Sequence, residues 1–402
     1  MLAQQLLLSA FVVLGAVAAD STAVCSTATA TIAAQADFAQ YTDCASLKSL
    51  VITSGDAEID ISGPTIITGD LTATNNSVMN SLTSTSLASI GGTFTLDGLT
   101  QLSTLQFDVL TTVDSIDWSG LPVLGSLTFS TGVSTASNVL ITNTFISSLD
   151  GINLMTVDSI DINNNNRLVE IDTQITNIST SLNIASNNKA LVVSLPNLSW
   201  ANNMTFRDVY SLSTPSLATV NGSFFLIDNT FTNYTSANLT SVGNFATSQG
   251  SLAFVGNTAL TTVSFANVNS VGGAFQVANN TAVATISMPE LTQVGGAIDL
   301  SGNFTTPYAP SLQNVVGALN IQSSETIDCS TYWDTLKDDD IVQGKSTCIS
   351  ATDDPTTADG TSTSTSTGSS SSSTAEGAAS SYGINHAAAG ISVVGGLLSM
   401  LL

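Results

Sequence analysis

One short pattern recurs along most of the chain: apolar, any residue, apolar, then small or polar residues and often Asn. It occurs at Leu71-Thr72-Ala73, Phe94-Thr95-Leu96, Ile116-Asp117-Trp118, Val139-Leu140-Ile141, Ile160-Asp161-Ile162 and Leu182-Asn183-Ile184. It continues at Met204-Thr205-Phe206, Phe224-Phe225-Leu226, Leu252-Ala253-Phe254, Phe275-Gln276-Val277, Ile298-Asp299-Leu300 and Leu319-Asn320-Ile321. First residues fall 20–23 apart, with one step of 28 before Leu252. Self-similarity at this period is the mark of a solenoid, in which each repeat buries its apolar edge against the next. Period-two alternation makes each segment a short strand with its first and third side chains inward. The middle residue is mostly Thr, Asp, Asn or Gln, so that face is expected to meet solvent; Leu140, Phe225 and Ala253 are exceptions. About 12 coils at roughly 4.8 Å each give a body about 55–60 Å long.

Between these strands lies a second motif, as in Val193-Ser194-Leu195-Pro196, Val263-Ser264-Phe265 and Ile286-Ser287-Met288-Pro289. An apolar residue and then a glycine corner follow in several coils, clearest at Ile90-Gly91-Gly92, Val271-Gly272-Gly273 and Val294-Gly295-Gly296. Glycine there predicts positive φ and close backbone approach. Asn stands five residues after the strand start at Asn76, Asn165, Asn187, Asn229, Asn257, Asn280 and Asn303. Stacked Asn side chains are expected to hydrogen-bond corner backbone from coil to coil. Such a stack leaves apolar side chains and strand edges open at both ends, so caps are required.

The two ends carry addresses. Residues 6–17 are apolar and too few to span a bilayer, which predicts a signal peptide over 1–18, although its start has no Lys or Arg. The tail, 387–402, is uncharged and apolar; a polar spacer, 380–386, and the small triplet Gly377-Ala378-Ala379 precede it. Together these read as a GPI-anchor signal with Gly377 as the anchored residue and 378–402 as the removed propeptide. Residues 350–377 are dominated by Ser and Thr and lack the apolar side chains that would offset ordering entropy, which predicts an extended, O-glycosylated stalk. The solenoid with its caps is assigned to 19–349.

Export sets the reading of Cys25, Cys44, Cys329 and Cys348. Three pairings are possible. Cys25 with Cys44 and Cys329 with Cys348 is favoured, because each pair sits at one end of the repeats with equal spacing. Each bridge would close a loop of about 20 residues, worth roughly 3 kcal/mol. Charge is lopsided, with 30 Asp plus Glu against 6 Lys plus Arg. A net charge of −24 argues against nucleic acid and anionic lipid as partners.

Candidate chemistry is thin. His386 is the one histidine, and it lies beyond Gly377. With the cysteines paired as well, Ser-His-Asp, Cys-His and His-metal mechanisms have no residues to use. Paired carboxylates remain: Asp114 with Asp117, Asp158 with Asp161, and Asp299, all read as solvated strand-face or corner residues. Trp118 is expected inward, Trp333 in the C-terminal cap, and Trp200 at a corner beside sequons. Asp338-Asp339-Asp340 lacks regular calcium-ligand spacing, and Asn163 to Asn166 reads as a corner. The expectation is no enzyme, no metal and no cofactor. Nine Asn-x-Ser/Thr sequons, at Asn75, Asn177, Asn197, Asn203, Asn221, Asn233, Asn238, Asn279 and Asn303, predict N-glycans on most. Asn303 also belongs to the corner series, and an inward Asn has no room for a sugar.

The flanking Cys pairs, the Val-Gly-Gly corners, the strand motif, the Ser/Thr stalk and the anchor signal give the chain a resemblance over nearly its whole length. It resembles fungal GPI-anchored cell-wall organisation proteins with receptor L-domain-like leucine-rich repeats. The resemblance implies a non-catalytic surface glycoprotein supporting cell-wall organisation and integrity, at the outer face of the plasma membrane and in the wall. Its partners would be wall polysaccharide or wall glycoproteins, with the membrane reached through the anchor. The absence of Lys and Arg just before Gly377 favours transfer to the wall by the same analogy. The alternatives are an extracellular ligand- or glycan-binding receptor-like module and, behind it, a surface carbohydrate-active enzyme. The fold expected is all-β: a right-handed β-solenoid of receptor L-domain or leucine-rich-repeat type, about 12 coils, with disulfide-closed caps.

Overall fold

The computed structural model describes residues 21–53 and 55–357. The signal segment 1–18, most of the stalk, Gly377, His386 and the tail 378–402 lie outside the described residues. All named strand pairs are parallel, and the chain forms a parallel β-solenoid of about 13 turns. The twelve segments stack in one column and in step. Leu71, Phe94, Ile116, Val139, Ile160, Leu182, Met204, Phe224, Leu252, Phe275, Ile298 and Leu319 are register partners from coil to coil. Ala30–Ile32 and Leu50–Ile52 extend the column at one end, and Ser346–Ile349 extends it at the other.

Each coil has further walls. The first motif's strand continues backward around a corner into a flank in Ser89–Asp97, Thr112–Leu121, Thr156–Asn163, Asn177–Ala185 and Trp200–Arg207. Three of the pairings slip register at that corner, so the strand bends there without ending. The second motif builds a back wall of three smaller sheets, interrupted between Phe129 and Glu170 and again between Ser213 and Asn233.

The corners carry the register. A left-handed residue recurs just before the inward corner position: Asn75, Asn143, Asn164, Ser186, Asp228, Gly256 and Asn279 all have positive φ. Next to it stands the Asn ladder, buried at Asn76, Asn165, Asn187, Asn229, Asn257 and Asn280. Asn257 accepts from the backbone N–H of Asn229 (3.0 Å) and donates to Leu226 O (2.8 Å) and to Asn280 Oδ1 (3.0 Å). Asn165 and Asn187 repeat the arrangement. Asn303 departs from it: it is exposed, and the neighbouring Phe304 turns inward.

The glycine corners hold by close approach alone. Gly91, Gly92, Gly272, Gly273, Gly295 and Gly296 are absent from the positive-φ residues, which corrects half of the expectation. A Cβ on Gly295 would lie 1.9 Å from Gly272 O, and one on Gly272 would lie 2.1 Å from Gln249 O. The backbones of successive coils touch there. The long step before Leu252 is a loop around Phe245–Thr247, pushed out between Gly243 and Gly250.

Two aromatic clusters in the core flank an aliphatic middle stretch. Phe94, Phe107, Trp118 and Phe129 pack edge to face, 5.4–6.2 Å between centroids. Phe206, Phe224, Tyr234, Phe254 and Phe265 form a second chain of rings. Between them lies a cavity of about 20 Å³ lined by Val, Leu and Ile and by Thr173, whose buried hydroxyl has no partner among the described residues.

Both ends are closed. Cys25 bonds Cys44 beside Phe38 and Tyr41, and Cys329 bonds Cys348 beside the buried Trp333. Tyr332 Oη donates to Ala309 O, and burial raises its phenol to about 12.

Candidate binding face

The outward positions of the main column form one face, and parallel register fixes its chemistry. Identical strand positions lie one above another at about 4.8 Å. From Asp70 to Thr205 the face is half-buried or exposed and almost entirely Asp, Asn, Ser and Thr. Several of its acidic side chains accept hydrogen bonds from side chains of the next coil. Ser119 donates to Asp97. Asn163 and Asn183 both donate to Asp161 Oδ1, each at 2.8 Å. Thr142 donates to Asn163 (2.5 Å). At the adjoining corner Ser137 donates to Asp114 (3.0 Å) and Ser179 to Asp158. Partial burial, with the Asp97 charge added, raises the Asp117 carboxyl from its ordinary value.

Asp117 and Asp161 are each in register with Leu140, so they stand two coils apart, about 9–10 Å. That is at or beyond the wide limit of about 6.5–9.5 Å for an inverting glycosidase pair. They also project from a sheet face with Leu140 between them. The described cavities lie in the core and are lined by apolar residues with Thr173, Tyr308 and Trp333. The face can therefore meet a ligand from one side with a donor or acceptor at nearly every rung. It does not surround a reacting bond.

The face changes beyond Thr205. Phe225 is half-buried and Ala253 buried, in keeping with their place as exceptions, and Ile227, Val255, Ala278 and Gln322 are buried beside them; Gln276, Asp299 and Asn320 are buried too, against the expectation that polar middle residues meet solvent. Asp299, read as solvated, is fully buried and accepts from Gln276 Nε2 (3.0 Å) and Asn320 Nδ2 (2.7 Å). Residues 350–357, the start of the expected stalk, lie on this face. Asn320 donates to Thr356 O (2.9 Å), Thr356 N donates to Gln322 Oε1 (3.0 Å), and Thr357 is buried. Sequence reasoning missed this polar network. Its signal was the Ala flanking each polar residue (Ala274, Ala278, Ala297), which suits a covered face better than a wet one.

Trp118 is in the core and Trp333 in the cap, while Trp200 is half-exposed on the flank. Asp338, Asp339 and Asp340 are exposed, and among the described residues no three His, Cys, Asp or Glu side chains converge as metal ligands. Eight sequon Asn are exposed and Asn177 is half-exposed. None of the outward positions of the main column from Asp70 to Ala185 is a sequon; Asn203 lies at the far edge.

Comparison with known proteins turns on the whole chain. No family model and no solved structure matches it. Protein ecm33 of Aspergillus fumigatus is 40% identical over 343 residues, 83% of each chain. A cell surface GPI-anchored protein of Arthroderma benhamiae is 36% identical, over 82% of this chain and 84% of its own. Cell wall protein ecm33 of Schizosaccharomyces pombe is 34% identical, over 82% and 79%. The second of these relatives is named as a cell surface protein and the third as a cell wall protein. The stack of in-step coils, the paired cysteines at both ends and this identity over most of both chains together place the protein: it belongs to the Ecm33 family of fungal GPI-anchored cell-surface and cell-wall proteins.

Proposed function

We propose that this protein is a non-catalytic surface glycoprotein that supports wall organisation by holding wall polysaccharide on the polar face of its central coils. Export through 1–18, anchoring at Gly377 and N-glycans at the exposed sequons complete the reading. The observation that supports it most is the set of outward column positions from Asp70 to Ala185, polar at almost every rung and none of them a sequon Asn. A neutral polyhydroxyl chain can exchange hydrogen bonds with Asp, Asn, Ser and Thr there without the charge repulsion an anionic polymer would meet. The test is sedimentation of the full-length glycoprotein, released from its anchor, with insoluble wall glucan and with chitin. Binding to one of them, reduced at least tenfold in Asp161→Ala/Asn183→Ala, is expected. Equal retention of wild type and variant would sink the assignment of this face. Release of reducing ends from the polymer would overturn the non-catalytic reading. Saturable capture of one soluble oligosaccharide or peptide, with no polymer binding, would favour a receptor-like module.

A further inference from the structure

Trp200 opens the strand Trp200–Arg207 on the flank of the coil and is half-exposed, whereas Trp118 and Trp333 are 0% and 3% exposed. Its register partner on the preceding coil is Asn177, the first residue of a sequon. The next inward residues, Ile178 and Ala201, are also partners and are both buried, so Asn177 and Trp200 point out on the same side. Parallel partners lie about 4.8 Å apart. Asn177 Oδ1 accepts from Thr176, and its Nδ2 makes no hydrogen bond among the described residues. Three more sequons crowd the spot. Asn197 and Asn203 are three residues either side of Trp200, and Asn221 N donates to Ala201 O on the following coil.

We propose that Trp200 is the stacking platform for the first N-acetylglucosamine of a glycan on Asn177. The inference rests on the glycosylation included in the proposed function. An indole carries a negative π face, and a pyranose ring presents a face of weakly positive C–H groups that lies well on it. The core-linked sugar is bonded to Nδ2, one coil spacing from the ring, so stacking needs little further ordering. A large aromatic left half-bare on a solvated flank gains a cover. The sugar chain gains a fixed direction along the flank, away from the polar face of the central coils.

Trp200 is its own reporter, because the other two tryptophans are buried. Acrylamide quenching of tryptophan fluorescence is measured on the full-length glycoprotein and on Asn177→Gln, Asn197→Gln, Asn203→Gln and Asn221→Gln, with site occupancy read by glycopeptide mass spectrometry. The expected result is occupancy at Asn177 and a steeper quenching slope in Asn177→Gln alone. An endoglycosidase that leaves one N-acetylglucosamine should keep the shallow slope, and complete removal should give the steep one. Trp200→Ala should lower Tm by about 1–2 °C in the glycosylated protein and by less in the Asn177→Gln background. An unchanged slope in Asn177→Gln, or an unmodified Asn177 while other sequons are occupied, overturns the stacking and leaves the glycoprotein reading standing. Sequons unoccupied throughout would overturn both.

Discussion

Asn257→Ala tests whether the buried amide ladder holds the coils in register. Asn257 is fully buried. Truncation leaves the backbone N–H of Asn229 without its acceptor at 3.0 Å, and it removes the bond to Leu226 O at 2.8 Å. It also breaks both side-chain contacts of the ladder, to Asn229 Nδ2 (2.9 Å) and Asn280 Oδ1 (3.0 Å). Asn229 Nδ2 keeps Phe206 O, and Asn280 Oδ1 keeps the backbone N–H of Asn257, so those two are weakened and not orphaned. One stranded buried donor costs about 1–3 kcal/mol, and each lost bond about 1 kcal/mol. The expected loss is about 4–6 kcal/mol. Asn166→Ala, at an exposed corner position, should change stability by less than about 0.5 kcal/mol. Denaturant unfolding with the disulfides intact gives the difference. Hydrogen exchange should localise the loosening to the Asn229 corner and the adjacent coils. A loss under about 1 kcal/mol in Asn257→Ala, with unchanged exchange at Asn229, would falsify the view that the ladder sets the register.

Three further outcomes follow from other sites. Thr173→Val should raise stability by about 1 kcal/mol in thermal unfolding, since it removes a buried hydroxyl without a partner at a cavity wall; a loss would mean the hydroxyl is satisfied. Gly295→Ala should destabilise by about 2 kcal/mol or more, because its Cβ would meet Gly272 O at 1.9 Å; a melting curve like that of wild type would mean the coils can part at that corner. Asp117 has its folded pKa raised, so its ionisation opposes folding as pH rises through the carboxylate range, and the penalty is absent in acid. Asp117→Asn should therefore raise Tm at neutral pH and not below the carboxylate range; the same shift at both pH values would remove charge as the cause.

The column was legible because one side of each strand is sealed. Twelve rungs announce themselves by apolar residues two apart, and all twelve are in register. Of the rungs that escaped notice, Ala30-Thr31-Ile32 has the contrast but stands ahead of the repeats inside the disulfide cap, and two others lack it. Leu50-Val51-Ile52 is apolar throughout, and Ser346–Ile349 carries Ser and Cys where aliphatics stand elsewhere. The disulfides were readable from symmetric placement. The covered half of the face was not, because strand alternation tells which side chains turn out and is silent on what lies over them. Gln276, Asp299 and Asn320 have the polarity of a solvated face and the burial of an interior. The glycine corners show a similar limit: the residue type required crowding or left-handed backbone, and only coordinates separate the two.

The loop around Phe245–Thr247 shows how such a rod changes length locally. The coil carrying it has 28 residues between Asn229 and Asn257, against 23 between Asn257 and Asn280, yet the amide contacts are 2.9 and 3.0 Å. Surplus chain is extruded as a blister at one vertex, and the strands on either side never learn of it. Insertions at that vertex can thus diversify the outline of the protein between lineages while every rung keeps its place, whereas a single residue added within a rung would throw the coils beyond it out of phase.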